Sequence, residues 1–438
     1  MEYKHEILQQ VVDELNYTPT PLFQTAVESD GCEDIIPQTN PPTGDQPLIF
    51  EIPARPNQYY DMDNSYIAIT VKITNADGSA LADDAVVGPI NLLPHTMWRS
   101  VRTSISNQDV SPTDNYYAYK AFMAHLITHS KDMNVLAKLN EGFEWDAPLT
   151  EYASADKDKN TGFASRAARF AKSEEVEYQF RPADAIWNQG GDILPRFRVK
   201  LQLDRAPDSF CLMSPTAGAN YKLVITASSL RLAYKIVLDE VHLQHRKQMD
   251  TVGITMMLNS CHTKLFSVPS NCSSHIIPIM FTGPLPPMLI FGLVNSEHCN
   301  GTYASNPLYF NNYGLEEVEL KVNGSINKAQ PIKVKFDTTK KKTLGAYNDF
   351  LKNCGALGPL FFLDINRETW ETAANLWVFE TKPFAKNLNV VPATGAISLT
   401  LRFSKPTEKT LSLLVSGKCL DTVTFRDDLS VQYNHPSG

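Results

Sequence analysis

His125 and His129 are the first residues whose types and spacing suit chemistry. Four apart on a helix, they would share one face, as paired zinc ligands do. A zincin motif needs glutamate after the first histidine, and Leu126 stands there, so packing or surface roles are the simpler reading. His242 and His245 fall in the polar segment Leu238 to Met249 and read as solvated side chains. Gly355-Ala356-Leu357-Gly358 is followed by Pro359 and is no phosphate loop. Neither a G-x-S-x-G elbow nor a G-x-G-x-x-G after a strand occurs. Asp61 with Asp63, and Asp83 with Asp84, are carboxylate pairs of the kind common in loops, and nothing marks a general acid and base. Lys340-Lys341-Lys342 reads as a solvated turn. No catalytic, cofactor or metal residues are expected, which favours a structural or binding protein over an enzyme.

Composition narrows the class further. The chain has 438 residues, 43% of them hydrophobic, with 48 acidic against 40 basic residues and a formal charge of −8. A nucleic-acid coat needs a surplus of lysine and arginine to neutralise phosphates. With 28 prolines, 21 glycines and 10% aromatics, the chain is neither a coiled coil nor disordered. Met1 to Leu15 carries charges throughout, with no secretory h-region, and no apolar run reaches a membrane span. Seven scattered cysteines, without C-x-x-C, suit free thiols in a reducing compartment. Four N-x-S/T triplets start at Asn16, Asn271, Asn300 and Asn323; the last two read as turns.

Strands must position whatever these residues do. Ile67, Ile69, Val71 and Ile73 alternate with polar or small residues, as do Phe197 to Leu203, Val318 to Val322 and Ile397 to Phe403. A period of two marks half-buried antiparallel strands. Asn323-Gly324 is a strong hairpin turn. Tyr221 to Val237 and Leu411 to Phe425 are further β-rich runs. Helical patterns are short: Tyr116 to Thr128, Leu344 to Asn353 and Arg367 to Trp377. Asn140 to Phe170 is polar and reads as a long exposed loop. At the start, Tyr3, Ile7 and Val11, with Leu8, Val12 and Leu15 beside them, form one short amphipathic helix. A proline-rich stretch follows, so residues 1–44 read as an extended arm, or as a helix packed on its own domain.

A weak repeat divides the rest. Ala118-Tyr119-x-x-Phe122-Met123 follows the run ending at Ser106-Asn107-Gln108-Asp109, and Ala346-Tyr347-x-x-Phe350-Leu351 follows a strand ending at Asn323-Gly324. An alternating strand and a final β-rich run come after each. The order implies two copies of one all-β domain, 45–247 and 248–438, each long enough for an eight-stranded jelly roll.

Several segments carry a resemblance to a known family. They are Gln24-Thr25-Ala26-Val27-Glu28, Ile67 to Gly78, Val87-Gly88-Pro89-Ile90-Asn91-Leu92 with His95, and Tyr116 to Leu126. Others are Asp204 to Phe210 with Leu212-Met213, and Gly283-Pro284-Leu285-Pro286 through Asn300-Gly301-Thr302-Tyr303 to Asn306-Pro307. In these the chain resembles the double-jelly-roll, hexon-type major capsid proteins of Polinton/Maverick elements and adintovirus-like double-stranded DNA viruses. Glu51 to Gln58 and the Asn140–Phe170 loop depart from the pattern.

The resemblance implies two stacked jelly rolls with short helices in loops, an N-terminal arm and no enzymatic activity or cofactor. It implies a homotrimer of pseudo-six-fold outline that tiles an icosahedral shell, assembled inside a host cell. The partners implied are further copies, penton and minor capsid proteins, and an internal membrane. Tyr3, Ile7, Leu8, Val11, Val12 and Leu15, on an amphipathic helix outside both β domains, are expected to make inward assembly contacts with neighbouring capsomers, minor capsid proteins or that membrane. Sequence-specific nucleic-acid binding is not implied. Competing readings are a minor capsid or penton protein, a β-sandwich binding module for carbohydrate or a receptor, and a cupin-type enzyme. The last would want a clustered His and Glu motif, which the sequence lacks.

Overall fold

The computed structural model describes residues 26–39, 46–112, 114–326, 330–336, 341–356, 363–381 and 394–435. The helix expected from Tyr3, Ile7, Leu8, Val11, Val12 and Leu15 lies outside them.

The first half holds β1 (Val27–Ile35), β2 (Leu48–Ile52), β3 (Gln58–Asn75), β4 (Gly88–Pro89), β5 (Trp98–Ile105), β6 (Gln108–Asp109), β7 (Val176–Phe180), β8 (Val199–Arg205), β9 (Leu212–Met213) and β10 (Tyr221–Val237). The second half holds β11 (Ile254–Val268), β12 (Ser274–Pro284), β13 (Met288–Asn295), β14 (Leu315–Val322), β15 (Ser325–Ile326), β16 (Ile332–Lys333), β17 (Leu376–Glu380), β18 (Thr394–Phe403), β19 (Leu411–Phe425) and β20 (Val431–Asn434).

Hydrogen bonding orders the first half into sheets β1-β10-β3-β7 and β2-β8-β5-β6. The second half gives β11-β19-β13-β17 and β12-β18-β14-β15, with β20 added to β19 and β16 to β14. With the short β4, β9, β16 and β20 set aside, both halves read the same. The first, eighth, third and sixth strands make one sheet; the second, seventh, fourth and fifth make the other. That is one jelly roll built twice.

Alternation sets the cores. Ile67, Ile69, Val71 and Ile73 of β3 are buried, while Ala68, Thr70 and Lys72 between them are partly exposed. Leu201 and Leu203 of β8, and Ile397, Leu399 and Leu401 of β18, repeat the pattern. Each such side chain contributes about 1.5–3 kcal/mol on burial. The hairpin turns match too. Ser106-Asn107 and Asn323-Gly324 all have positive φ, the type I′ geometry that suits strand twist. The two A-Y-x-x-F segments therefore follow equivalent hairpins, β5–β6 and β14–β15.

Four expectations are corrected. Residues 27–35 are not arm: β1 pairs along β10. Its sequence, Val-Glu-Ser-Asp-Gly-Cys-Glu-Asp-Ile, hides the strand because an edge strand largely open to solvent needs no apolar alternation. Asn140–Phe170 is not an exposed loop. It carries a helix, Thr161–Ala168, and buries Phe143, Tyr152, Phe163 and Phe170. The Arg367 helix stops at Thr372, and Trp377 belongs to β17, where Leu-Trp-Val-Phe favours strand. The Tyr117–Thr128 helix is buried on nearly all sides rather than along one stripe, because it is held between the two halves.

Candidate assembly surfaces and the seam between the sandwiches

The seam is built from long insertions between the strands. Phe122 stacks on Phe310, and the Tyr119 hydroxyl donates to the Pro307 carbonyl at 3.2 Å. Phe197 meets Phe425 edge-on, with ring centroids 4.9 Å apart. Apolar residues of both halves belong to one continuous core. Polar clasps lie beside it. Asn134 Nδ2 and Trp145 Nε1 both donate to Asp364 Oδ2 at 2.8 Å. Arg196 pairs with Asp427 at 2.7 Å. The helix Asp239–Thr251 links the halves; its His242 and His245 meet the Tyr59 hydroxyl at 3.3 and 2.9 Å, so they are partnered rather than freely solvated.

The Asn140–Phe170 insertion is organised by a buried ion pair. Arg166 donates to Asp146 Oδ1 at 2.8 Å and to the carbonyls of Pro89 and Glu144. Burial raises the Asp146 carboxyl, while Arg166 and Asn160 pull it back. Asn306 of the second half donates to the other Asp146 oxygen. Gly162 allows the approach, since a Cβ there would stand 2.3 Å from the Trp145 carbonyl oxygen.

His125 lies in the last turn of the Tyr117–Thr128 helix, but His129 is its C-cap with extended backbone, so the two do not share a helix face; their rings stack at 3.9 Å instead of converging on a common point. They line a cavity of about 370 Å³ with His95, Lys120, Glu141 and Asp184. His125 Nε2 meets Asn134 Oδ1, and His95 Nε2 lies 3.5 Å from Glu141. Burial, then His129, pushes His125 down to about 3. An unfolded histidine titrates near ~6.5, so between those values only the unfolded chain binds the proton, and stability rises with pH. We expect stability to fall by about 1 kcal/mol per pH unit as pH drops below ~6.5. His125→Gln should flatten that limb of the urea midpoint against pH; an unchanged slope would refute the assignment.

A closed ion-pair network, missed from sequence, gathers His262 of β11, Asp421 of β19 and His435 after β20. His262 Nε2 lies 3.1 Å from Asp421 Oδ2, and His435 Nδ1 lies 2.7 Å from Oδ1.

Two exposed apolar faces stand out. The helix Lys131–Asn140, capped by Ser130, buries Asn134 and Ala137 but exposes Val135, Leu136 and Leu139 by 61%, 63% and 70%. In the second half, Met257, Ile276 and Ile279 are exposed on β11 and β12, which lie at the edges of their sheets. Val135, Leu136 and Leu139 fall on one helix face, and apolar surface of that kind marks contact sites.

No known family model matches the chain. An uncharacterized protein of Caenorhabditis elegans is 21% identical over 389 residues, covering 82% of this chain and 86% of its own. Among solved structures, a chain of the Sputnik virophage has a TM-score of 0.64 at 10% identity, covering 97% of this chain and 92% of that one. The PBCV-1 virus capsid gives 0.56 at 11% identity, covering 96% and 100%. The mavirus major capsid protein gives 0.51 at 13%, covering 97% and 95%. At such identities the likeness is one of fold. It runs the length of the chain and agrees with the duplicated strand order, so this chain has the double-jelly-roll fold of viral major capsid proteins.

Proposed function

We propose that the chain is a major capsid protein of a double-stranded DNA virus or virus-like element. Three copies close into a pseudo-hexameric capsomer, and capsomers tile an icosahedral shell. The observation that carries this reading is the duplication: one chain presents two sandwiches of identical strand order. Three such chains around a three-fold axis give six similar outlines. A closed ring of identical chains needs two different, complementary patches on each. The exposed helix Lys131–Asn140 and the exposed apolar residues on the edge strands β11 and β12 of the second sandwich are our candidates for such a pair. The charge of −8 fits a shell that encloses a genome without neutralising it.

We divide the chain into an arm that ends before β1, a first sandwich that begins with β1 and runs to residue 247, and a second sandwich over 248–438. We assign the segment through Asn16 to contacts with neighbouring capsomers, penton or minor capsid proteins, or an internal membrane. Normal shells from a chain lacking residues 1–16 would remove that role.

A binding module would present an aromatic platform, yet Trp98, Trp187, Trp370 and Trp377 are buried and Trp145 is bonded to Asp364. A penton needs only one jelly roll. Light scattering on the purified chain should give three times 48.9 kDa, and negative-stain images should show six-sided particles. A monomer at every concentration, without such particles, would reject the proposal.

A further inference from the structure

We propose that the cavity between the sandwiches binds a phosphate-type oxyanion, held by Lys120 of the first half and Lys418 of the second. Lys120 stands on the Tyr117–Thr128 helix, lines the cavity of about 370 Å³ and is only 3% exposed. Among the described residues its Nζ meets no hydrogen-bond acceptor and forms no ion pair; it lies 5.4 Å from the centre of the Tyr117 ring. A ring face attracts the charge but leaves the ammonium's three donors unused, and a buried donor without a partner is costly. Strands β11 and β19 form the opposite wall. Lys418 stands directly opposite Cys261 in their antiparallel register, so the two side chains share a sheet face. Lys418 also has no acceptor or ion pair among the described residues. Burial raises the Cys261 thiol, while Lys120 and Lys418 both pull it down, so both positive charges act on one point of the cavity.

The other charged groups of the cavity are committed elsewhere. Burial alone would discharge Lys120, but the fields of Asp184 and Asp114 more than offset it, so the ammonium stays charged. Asp184 nevertheless spends its hydrogen bonds on other donors: Oδ2 accepts from the Ser111 and Thr103 hydroxyls, and Oδ1 from the Ala185 N–H. Glu141 lies 3.5 Å from His95, and Arg181 donates to the Asp63 carbonyl. The two lysines are thus left to serve an acceptor from outside. Lysines are point charges with rotatable donors and suit a tetrahedral oxyanion, whereas a planar carboxylate is matched better by the arginine fork. Ala121, Ala124 and Ile290 give the cavity apolar sides, where attraction between charges is stronger than in water. Because one lysine comes from each half, the bound oxyanion ties the two sandwiches together.

Inorganic phosphate, titrated into the full chain at neutral pH in chloride buffer of matched ionic strength, should bind at one ion per chain and raise the thermal midpoint by mass action. Acetate at the same concentrations should do neither. Lys120→Met and Lys418→Met keep much of the side-chain length and remove the charge. Each should weaken phosphate binding by roughly 10-fold or more, the scale of one hydrogen bond to a charged group. Lys418 is only partly buried, so its variant reports on the site even where Lys120→Met fails to fold. Lys138 pairs with Glu144, and neither lines the cavity, so Lys138→Met should bind phosphate as the parent does. An absence of phosphate binding, equal binding of acetate, or phosphate binding unchanged in Lys418→Met would overturn the proposal.

Discussion

Arg166→Ala lowers the stability of the chain by about 3–5 kcal/mol, the cost of leaving a buried charge without its partner. Arg166 and Asp146 are 2% and 0% exposed, so no water replaces the lost bond. The change also strips a donor from the carbonyls of Pro89 and Glu144. The damage spreads, because Asp146 receives Asn306 from the second sandwich and Gly162 seats its helix on the Trp145 carbonyl. A shift of the urea midpoint measures the effect. The double variant Arg166→Met/Asp146→Leu separates pairing from packing. Removing both charges together should recover much of the loss, since an apolar pair of similar volume avoids the desolvation cost. A loss under about 1 kcal/mol for Arg166→Ala, the scale of an exposed pair, would show that water reaches this site in solution.

The strands were legible because a period of two is written in consecutive residues. Tyr221–Val237 and Leu411–Phe425 occur with the bounds their composition suggests. The repeat was legible because turn chemistry is local: Ser106-Asn107 and Asn323-Gly324 occupy equivalent hairpins. What failed was whatever depends on tertiary context. β1 is stabilised by pairing with β10, which its polar residues do not announce. The Asn140–Phe170 insertion looks polar because its charged residues are mutual partners, as Arg166 and Asp146 are. Its aromatics share no period because Phe143 and Tyr152 lie outside any helix or strand and only Phe163 lies on the Thr161–Ala168 helix. The His262–Asp421–His435 cluster joins residues 159 and 14 positions apart. Only the antiparallel pairing of β19 with β11 and β20 brings them together, so no local motif could reveal it.

Leu136→Asp with Leu139→Asp should abolish the proposed trimer and leave a folded monomer of 48.9 kDa. Both side chains are largely exposed in the single chain, so the change costs the fold within about ±0.5 kcal/mol. In an interface the same leucines would each contribute about 1.5–3 kcal/mol, and a buried aspartate in their place adds a desolvation cost. Three-fold closure repeats that loss at every contact. The unlike patches permit a sharper test. Met257→Asp with Ile279→Asp should break the ring from the opposite side, again leaving monomers. Mixed in equal amounts, the two variants retain one sound contact: the edge of the first chain against the helix of the second. Assembly should therefore stop at a dimer of twice the chain mass, because a heterologous ring with one dead patch on each partner cannot add a third chain. Persistent trimers in both variants would place these faces against other neighbours. A mixture that stays monomeric would show that helix and edge do not meet each other.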